Sequence, residues 1–226
     1  MNNKKNINNM ETSDHAHKIV LKYRRLSRYY DPLFLALERL VFSDNNNPRQ
    51  ALAQKIPTGE YSILDVCTGT GRTALSIADS GCNIVGIDLS PEMLGVANQK
   101  IQQQQIPNIT FHQMDATDMS FPDEHFDIAV SSFALHEMDH QFMQLVLTEI
   151  HRVMKTGGKL HLIEFENDEN PMIQAVFSLY KRVFYPPSIQ DFFQYDWNGI
   201  LENAGFNLES IERYRVSKLI SAVKFS

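Results

Sequence analysis

Three carboxylates and one glycine turn stand at intervals that suit the grip of a small polar ligand. Asp65 lies in a short β-branched run, Ile63-Leu64-Asp65-Val66, which leads straight into Cys67-Thr68-Gly69-Thr70-Gly71-Arg72-Thr73-Ala74. Gly69 and Gly71 carry no Cβ, so the backbone there can turn tightly and come close to a ligand. A helix that starts near Gly71 would aim its unpaired N–H groups back at the turn. Asp88 closes the run Ile84-Val85-Gly86-Ile87, and a carboxylate at the carboxyl end of a strand can take both hydroxyls of a ribose. Ser90, ahead of Pro91 and Glu92, is the better helix cap of its region, which leaves Asp88 for a ligand. Asp115, in Gln113-Met114-Asp115-Ala116, can accept from an exocyclic amine while the Ala116 N–H meets a ring nitrogen.

The glycines alone decide little. The stretch Gly69 to Ala74 also satisfies the dinucleotide fingerprint G-x-G-x-x-A, with Asp88 as the ribose acid. Asp65 separates the two readings. A carboxylate inside the strand before the turn would repel a diphosphate but suits a ligand that bears positive charge. The alternative for Asp65 is a purely local task, bracing or capping the turn.

These residues need a scaffold, and the chain predicts one. Strands are expected at 62–67, 83–88, 109–114, 126–132 and 159–165, with helices between them at 72–80, 91–104 and 141–155. In the last helix Phe142, Val146, Ile150 and Val153 fall on one face, a core-facing stripe. Such alternation specifies an α/β, doubly wound parallel sheet whose ligands bind outside the carboxyl ends of the strands. A closing hairpin, 207–215 and 217–225, adds an antiparallel strand. Beyond Pro171, Met172, Val176, Phe177, Tyr180, Val183 and Phe184 form an aromatic-rich helix, a lid-like insertion near 170–200. A further helix, 196–204, stops at Gly205.

Ahead of the sheet, residues 1–14 are polar and expected to be disordered, and 15–56 form a helical cap. Within it, 15–30 read as a basic amphipathic helix with Ile19, Tyr23, Leu26 and Tyr30 on one face. Two readings stand: the helix packs its stripe on the core, or it lies on an anionic membrane or over a substrate. Asp31-Pro32 is expected to break it, 33–42 to form a second helix, and 49–55 a short third one.

The chain has 226 residues, 43% apolar and 21% charged, the balance of one ordinary globular domain with an appended segment. No apolar run approaches about 18 residues, so no transmembrane helix is expected. The first ten residues lack an apolar signal core, and a cytoplasmic setting is expected. A net charge of −6 argues against general nucleic-acid binding. Cys67 and Cys82 read as reduced thiols, with no disulfide or metal site.

The set from Leu64 to Gly71, Gly86-Ile87-Asp88-Leu89-Ser90-Pro91-Glu92-Met93-Leu94 and Asp115-Ala116 resembles the class I S-adenosylmethionine-dependent methyltransferases. Phe121-Pro122-Asp123-Glu124-His125-Phe126-Asp127 and Arg152-Val153-Met154-Lys155-Thr156-Gly157-Gly158 strengthen the likeness, which runs from about residue 55 to 166. Cys67 departs from the family, standing where many members have a first glycine. The resemblance implies a Rossmann-like, seven-stranded, mostly parallel sheet and S-adenosyl-L-methionine as cofactor. By that likeness Asp65 would lie near the methionine ammonium, with Gly69, Thr70 and Gly71 backing that moiety. Asp88 would hold the ribose, Leu89 and Met93 flank the adenine, and Asp115 and Ala116 read its edge. Ser132 is similar to a cofactor-contacting serine of the quinone-biosynthesis C-methyltransferases.

Methyl transfer from a sulfonium is an in-line displacement in which alignment supplies much of the rate. A base is needed only when the acceptor carries a proton to be lost. By position, His136 and Glu164 are the catalytic candidates, whereas His140, His151 and His161 read as structural or exposed. The segment Arg28-Tyr29-Tyr30-Asp31-Pro32-Leu33 resembles the tyrosine-bearing N-terminus of the quinone-biosynthesis and phospholipid N-methyltransferase-like branch. That likeness implies a small, lipophilic acceptor and a peripheral membrane contact through 15–30; the bland alternative is a roof over the cofactor. Two other classes stay open: an NAD-dependent oxidoreductase, and a non-enzymatic regulator that binds S-adenosylmethionine.

Overall fold

Strands with helices on both faces need apolar residues at nearly every position, and the β-branched runs of this chain meet that need. A computed structural model describes residues 47–167, 170–184 and 192–225, with Leu21, Tyr23, Arg24, Ser27, Tyr30, Asp31, Pro32 and Leu35. The tail 1–14 and, but for Leu35, the helix expected at 33–42 lie outside the described residues. The strands are β1 (Ser62–Val66), β2 (Asn83–Asp88), β3 (Ile109–Gln113), β4 (Phe126–Ser132), β5 (Met154–Phe165), β6 (Phe206–Tyr214) and β7 (Ser217–Lys224). They form one seven-stranded sheet in the order β3-β2-β1-β4-β5-β7-β6. β1 to β5 are parallel, and β7 is antiparallel to both β5 and β6, so β7 alone runs against the rest.

The chain winds outward from β1 to β3 and then crosses back to enter β4 on the other side of β1. That reversal opens a crevice at the carboxyl ends of β1 and β4, the expected place for a ligand.

Helices α1 (Pro48–Lys55), α2 (Arg72–Ser76), α3 (Pro91–Gln104), α4 (His140–Val153), α5 (Pro171–Phe184) and α6 (Trp197–Asn203) cover the sheet. On one face Leu64, Val66 and Ile87 pack with Val146, Ile150 and Leu201, from α4 and α6. On the other, Ile63, Ile84 and Ile128 share a core with Leu52, Ala74 and Phe177, from α1, α2 and α5. The stripe of α4 is buried as its period requires, and each such side chain contributes roughly 1.5–3 kcal/mol. Helix starts follow cap chemistry: Ser90 accepts from the Met93 N–H at 3.3 Å, and Asp139 from the Phe142 N–H at 2.7 Å.

Three expectations need correction. Tyr30, Asp31 and Pro32 all have helical backbone, so Asp31-Pro32 does not break the segment there. Proline keeps a helical φ and forfeits one hydrogen bond, while the Asp31 carboxylate is tied to Thr70 Oγ1 and Lys100 Nζ. The helix expected over 72–80 stops at Ser76 and continues as a 3-10 turn, Ala78–Ser80, closed by Gly81 at φ 77°. Residues 154–158, read partly as a helix end, are strand: Met154 pairs with Phe126, and the register slips before Ile128. Gly86 marks a forced close approach, since a Cβ there would lie 2.6 Å from the Phe111 ring and 2.9 Å from Thr68 Oγ1. No helix among the described residues is long and apolar enough to cross a membrane.

Candidate active site

The crevice between β1 and β4 opens into a cavity of about 90 Å³, at the strand ends where such sheets bind small molecules. Its wall combines the turn after β1 (Cys67, Thr68, Gly69, Thr70), the end of β2 (Asp88, Leu89), and Met114 to Ala116 after β3. Ser132, Phe133 and Glu137 after β4 complete it, with Arg49 of α1 and Tyr23 and Tyr30 of the N-terminal segment.

Two acids hold the glycine turn. Asp88 accepts the Gly69 N–H at 2.8 Å through Oδ2 and the Ser90 N–H at 2.9 Å through Oδ1. Each carboxylate oxygen offers two lone pairs, so both retain acceptor capacity toward the cavity. Burial raises the Asp88 pKa against these backbone N–H groups, which lower it. Asp65 faces the α2 side of the sheet, 1% exposed. Its Oδ2 accepts the Thr68 hydroxyl at 2.5 Å and the Ala74 N–H at 3.1 Å, while Oδ1 is buried without a hydrogen bond. Burial pushes its pKa up to about 7, with the Thr68 and Ala74 hydrogen bonds and the Arg49 charge pulling the other way.

The bare N–H groups expected of the turn are therefore partly spent: Gly69 donates to Asp88, and Gly71 closes the turn on the Thr68 carbonyl at 2.9 Å. Cys67 and Phe133, both on the cavity wall, have φ of 56° and 53°. Left-handed backbone at a non-glycine residue costs on the order of 1–3 kcal/mol and clusters at functional sites. For Cys67 this gives the family's glycine its reason. Burial and then the neighbouring Asp88 and Asp65 carboxylates push the Cys67 thiol pKa up, which makes it a poor nucleophile.

On the far wall, Arg49 Nε donates to Thr73 Oγ1 at 3.3 Å, and its guanidinium sits 5.3 Å from the centre of the Phe133 ring. Thr73 Oγ1 in turn lies 2.5 Å from Ser132 Oγ. The Tyr23 hydroxyl donates to Glu137 Oε1 at 2.9 Å, and the Tyr23 and Tyr30 rings meet edge-on at 5.8 Å. Behind this wall, His136 Nδ1 pairs with Glu164 Oε2 at 2.8 Å. Glu164 Oε1 accepts the N–H groups of Ala134 and Leu135 at 3.0 and 2.7 Å.

Of the residues picked out by sequence, Gly69, Thr70, Asp88, Leu89, Met93, Asp115, Ala116 and Ser132 all line the one cavity. Asp115 Oδ1 is committed to the N–H and hydroxyl of Thr117, at 2.8 and 2.7 Å. Asp65 and Gly71 stand behind the turn, not on the wall. His136 and Glu164 are brought together, but neither lines the cavity: the His136 side chain is 0% exposed and that of Glu164 1%. Of the other histidines, His161 bonds Ser221 Oγ across β5 and β7 at 3.0 Å, and burial holds its pKa down at about 4. Arg49 and Glu137 went unnoticed as site residues. A signal for Arg49 existed, since a cation in the first turn of a helix opposes the dipole, and such local conflicts mark function. Glu137 offered none beyond its place beside His136.

Residues 63–158 match a family model described as a methyltransferase domain. A demethylmenaquinone methyltransferase of Tropheryma whipplei (strain Twist) is 30% identical over 217 residues, covering 88% of this chain and 87% of that protein. Another, of Chlorobaculum parvum, is 34% identical over 166 residues, covering 65% of this chain and 66% of its own. An uncharacterized methyltransferase of Synechocystis sp. is 32% identical over 146 residues, with the same two coverages, 65% and 66%. The chain thus spans a little under two thirds of the length of these last two relatives. Among solved structures, a SAM dependent methyltransferase from Aquifex aeolicus superposes with TM-score 0.63 at 21% identity, over 78% of this chain and 89% of that one. The cyclase SpnF superposes at 0.61 and 20% identity, over 78% and 80%. At such identities the superpositions show the fold alone, and a cyclase among them shows that the fold does not dictate methyl transfer.

The sheet order, the strand-end acids and the relatives together define the class: the chain belongs to the class I S-adenosylmethionine-dependent methyltransferases. Within that class it groups with the quinone-biosynthesis-like branch, and S-adenosyl-L-methionine is its cofactor. The residues present fit that molecule. Asp88 keeps acceptor capacity on both oxygens for a ribose, and the bare buried Oδ1 of Asp65 suits a cationic amino-acid end.

Proposed function

We propose that this protein transfers a methyl group from S-adenosylmethionine to a small, lipophilic acceptor of the quinone kind. The observation that carries this reading is one cavity joining Asp88 and Asp115 to a ring-lined chamber under the N-terminal helix. The cofactor supplies a methyl group on a positively charged sulfur. Asp88 holds its ribose, Leu89 and Met93 flank the adenine, Asp115 and Ala116 read the adenine edge, and Ser132 supports the wall between the two ends. Gly69, Thr70 and Gly71 back the methionine moiety, and Asp65 acts on its ammonium from behind the turn, through water. Arg49, the cation on the opposite wall, takes the carboxylate.

Calorimetry tests this directly. S-Adenosylmethionine should bind and NADH should not; the reverse result would make the chain an oxidoreductase. Arg49→Met should weaken S-adenosylmethionine about tenfold, the loss of a charge-assisted pair. It should leave 5′-methylthioadenosine, which lacks the amino-acid end, unaffected, and an equal loss for both ligands refutes the assignment. Cofactor binding without turnover of any acceptor would favour the regulator.

The segment 15–56 acts in this reading as a roof for a lipophilic acceptor, whereas no described residue of the lid-like 170–200 lines the cavity. Tyr23, Tyr30, Phe133, Met138 and Phe142 supply an apolar lining, and Phe177 of α5 packs on Phe165 at 5.0 Å. Leu21 and Leu35 are exposed, 45% and 41%, on the helical N-terminal segment. They and the exposed Arg24 are what an anionic membrane would meet. Replacing both leucines with Glu should lower sedimentation with anionic liposomes about threefold or more; equal sedimentation would remove the membrane from this reading.

A further inference from the structure

Glu137 is the carboxylate on the acceptor side of the cavity, and it does not stand alone. Its side chain is 11% exposed and takes the Tyr23 hydroxyl at 2.9 Å. Behind it, His136 Nε2 lies 3.9 Å from Glu137 Oε1, and His136 Nδ1 lies 2.8 Å from Glu164 Oε2. Glu164 is 0% exposed and its other oxygen is saturated by two backbone N–H groups, so it can neither turn nor leave. A carboxylate of this kind accepts the Nδ1–H and thereby fixes the ring's tautomer and orientation. Nε2 is then the nitrogen that faces Glu137.

We infer that Glu137 takes the proton that the methyl acceptor loses, with His136 and Glu164 as positioning residues. This rests on the methyl-transfer reading above. An imidazole lone pair and a carboxylate repel one another unless a proton lies between them, so the Glu137–His136 pair has a place for one proton to arrive. A buried carboxylate–imidazole–carboxylate row is costly to desolvate, and an acceptor with no proton to lose would give it no task. In the transfer, the acceptor's O–H proton passes to Glu137. The electron pair left behind, shared between oxygen and ring carbon, forms the bond to the methyl carbon, and the pair of the breaking C–S bond stays on sulfur; where carbon is methylated, its C–H proton then moves to the oxygen and restores the aromatic ring. One positive and one negative charge disappear together, so atoms and charge balance. His136 and Glu164, which do not line the cavity, act on the acceptor only through Glu137.

The test uses the full chain, S-adenosylmethionine and a naphthohydroquinone lacking the methyl group. Glu137→Gln keeps the shape and the bond from Tyr23. It should lower kcat about a hundredfold or more, the usual worth of a positioned base, and should flatten the acid limb of the pH profile. Calorimetric affinity for S-adenosylmethionine should stay as in the wild type. Glu164→Gln should move the acid limb without removing it. Full turnover by Glu137→Gln overturns the relay alone. Cofactor binding with no methylation of the hydroquinone by the wild type overturns the quinone-kind acceptor of the proposed function, and the base assigned to it. No cofactor binding at all overturns the methyl-transfer reading instead.

Discussion

Asp88→Ala is expected to lower affinity for S-adenosylmethionine ten- to a hundredfold, about 1.4–2.7 kcal/mol by calorimetry. Two losses combine. The ribose loses a charge-assisted acceptor, typically worth about 1.5–3 kcal/mol. The turn also loses its brace, because the same carboxylate holds the Gly69 and Ser90 N–H groups. Asp88→Asn separates the two effects: the amide keeps one acceptor oxygen but carries no charge, so its affinity should fall between those of wild type and alanine variant. Affinity equal to wild type in Asp88→Ala would refute the ribose assignment.

Asp65→Asn is expected to stabilise the cofactor-free protein more at pH 8 than at pH 5, by about 2–3 kcal/mol. The folded-state pKa of Asp65 is about 7, above the ordinary carboxylate value of 3.8, chiefly because burial disfavours its charge. A group shifted in this direction contributes its stability below the unfolded pKa and loses it progressively as pH rises through 7. Asparagine does not titrate, so only the wild type carries that loss. Denaturant unfolding of both proteins at the two pH values measures it, and a difference that does not change with pH would sink the idea. The buried charge has a use. A cationic ligand behind the glycine turn would relieve it, so cofactor affinity in the wild type should rise with pH from 6 to 8, roughly tenfold if only the ionised form binds. In Asp65→Asn that rise should vanish.

These two acids show how far the sequence reaches. Asp88 could be read as a ligand-facing acid because its strand, its cap-bearing neighbour Ser90 and its place at a carboxyl end are all local facts. The strands, the turn, the capped helices and the closing hairpin are local in the same sense: period, cap chemistry and missing Cβ atoms act over a few residues. That sufficed for the doubly wound sheet and for eight residues that do line one cavity, Gly69, Thr70, Asp88, Leu89, Met93, Asp115, Ala116 and Ser132. It did not suffice for Asp65 and Gly71, which serve the cavity from behind, or for the helical backbone at Asp31-Pro32.

What only the tertiary structure decided are the pairings between distant segments. Arg49 reaches Thr73 from another helix, Asp31 reaches Thr70, Tyr23 reaches Glu137 across 114 positions, and Glu164 closes on His136 from the next strand. Each is a charged or polar contact whose partner is chosen by the sheet's winding and whose strength is set by burial. Neither quantity is written in the few residues around either member. The order of residues therefore determined the fold and most of the strand-end residues that line its cavity by itself. The pairing of Tyr23 with Glu137 and the raised pKa of Asp65 wait on which distant groups the fold buries together.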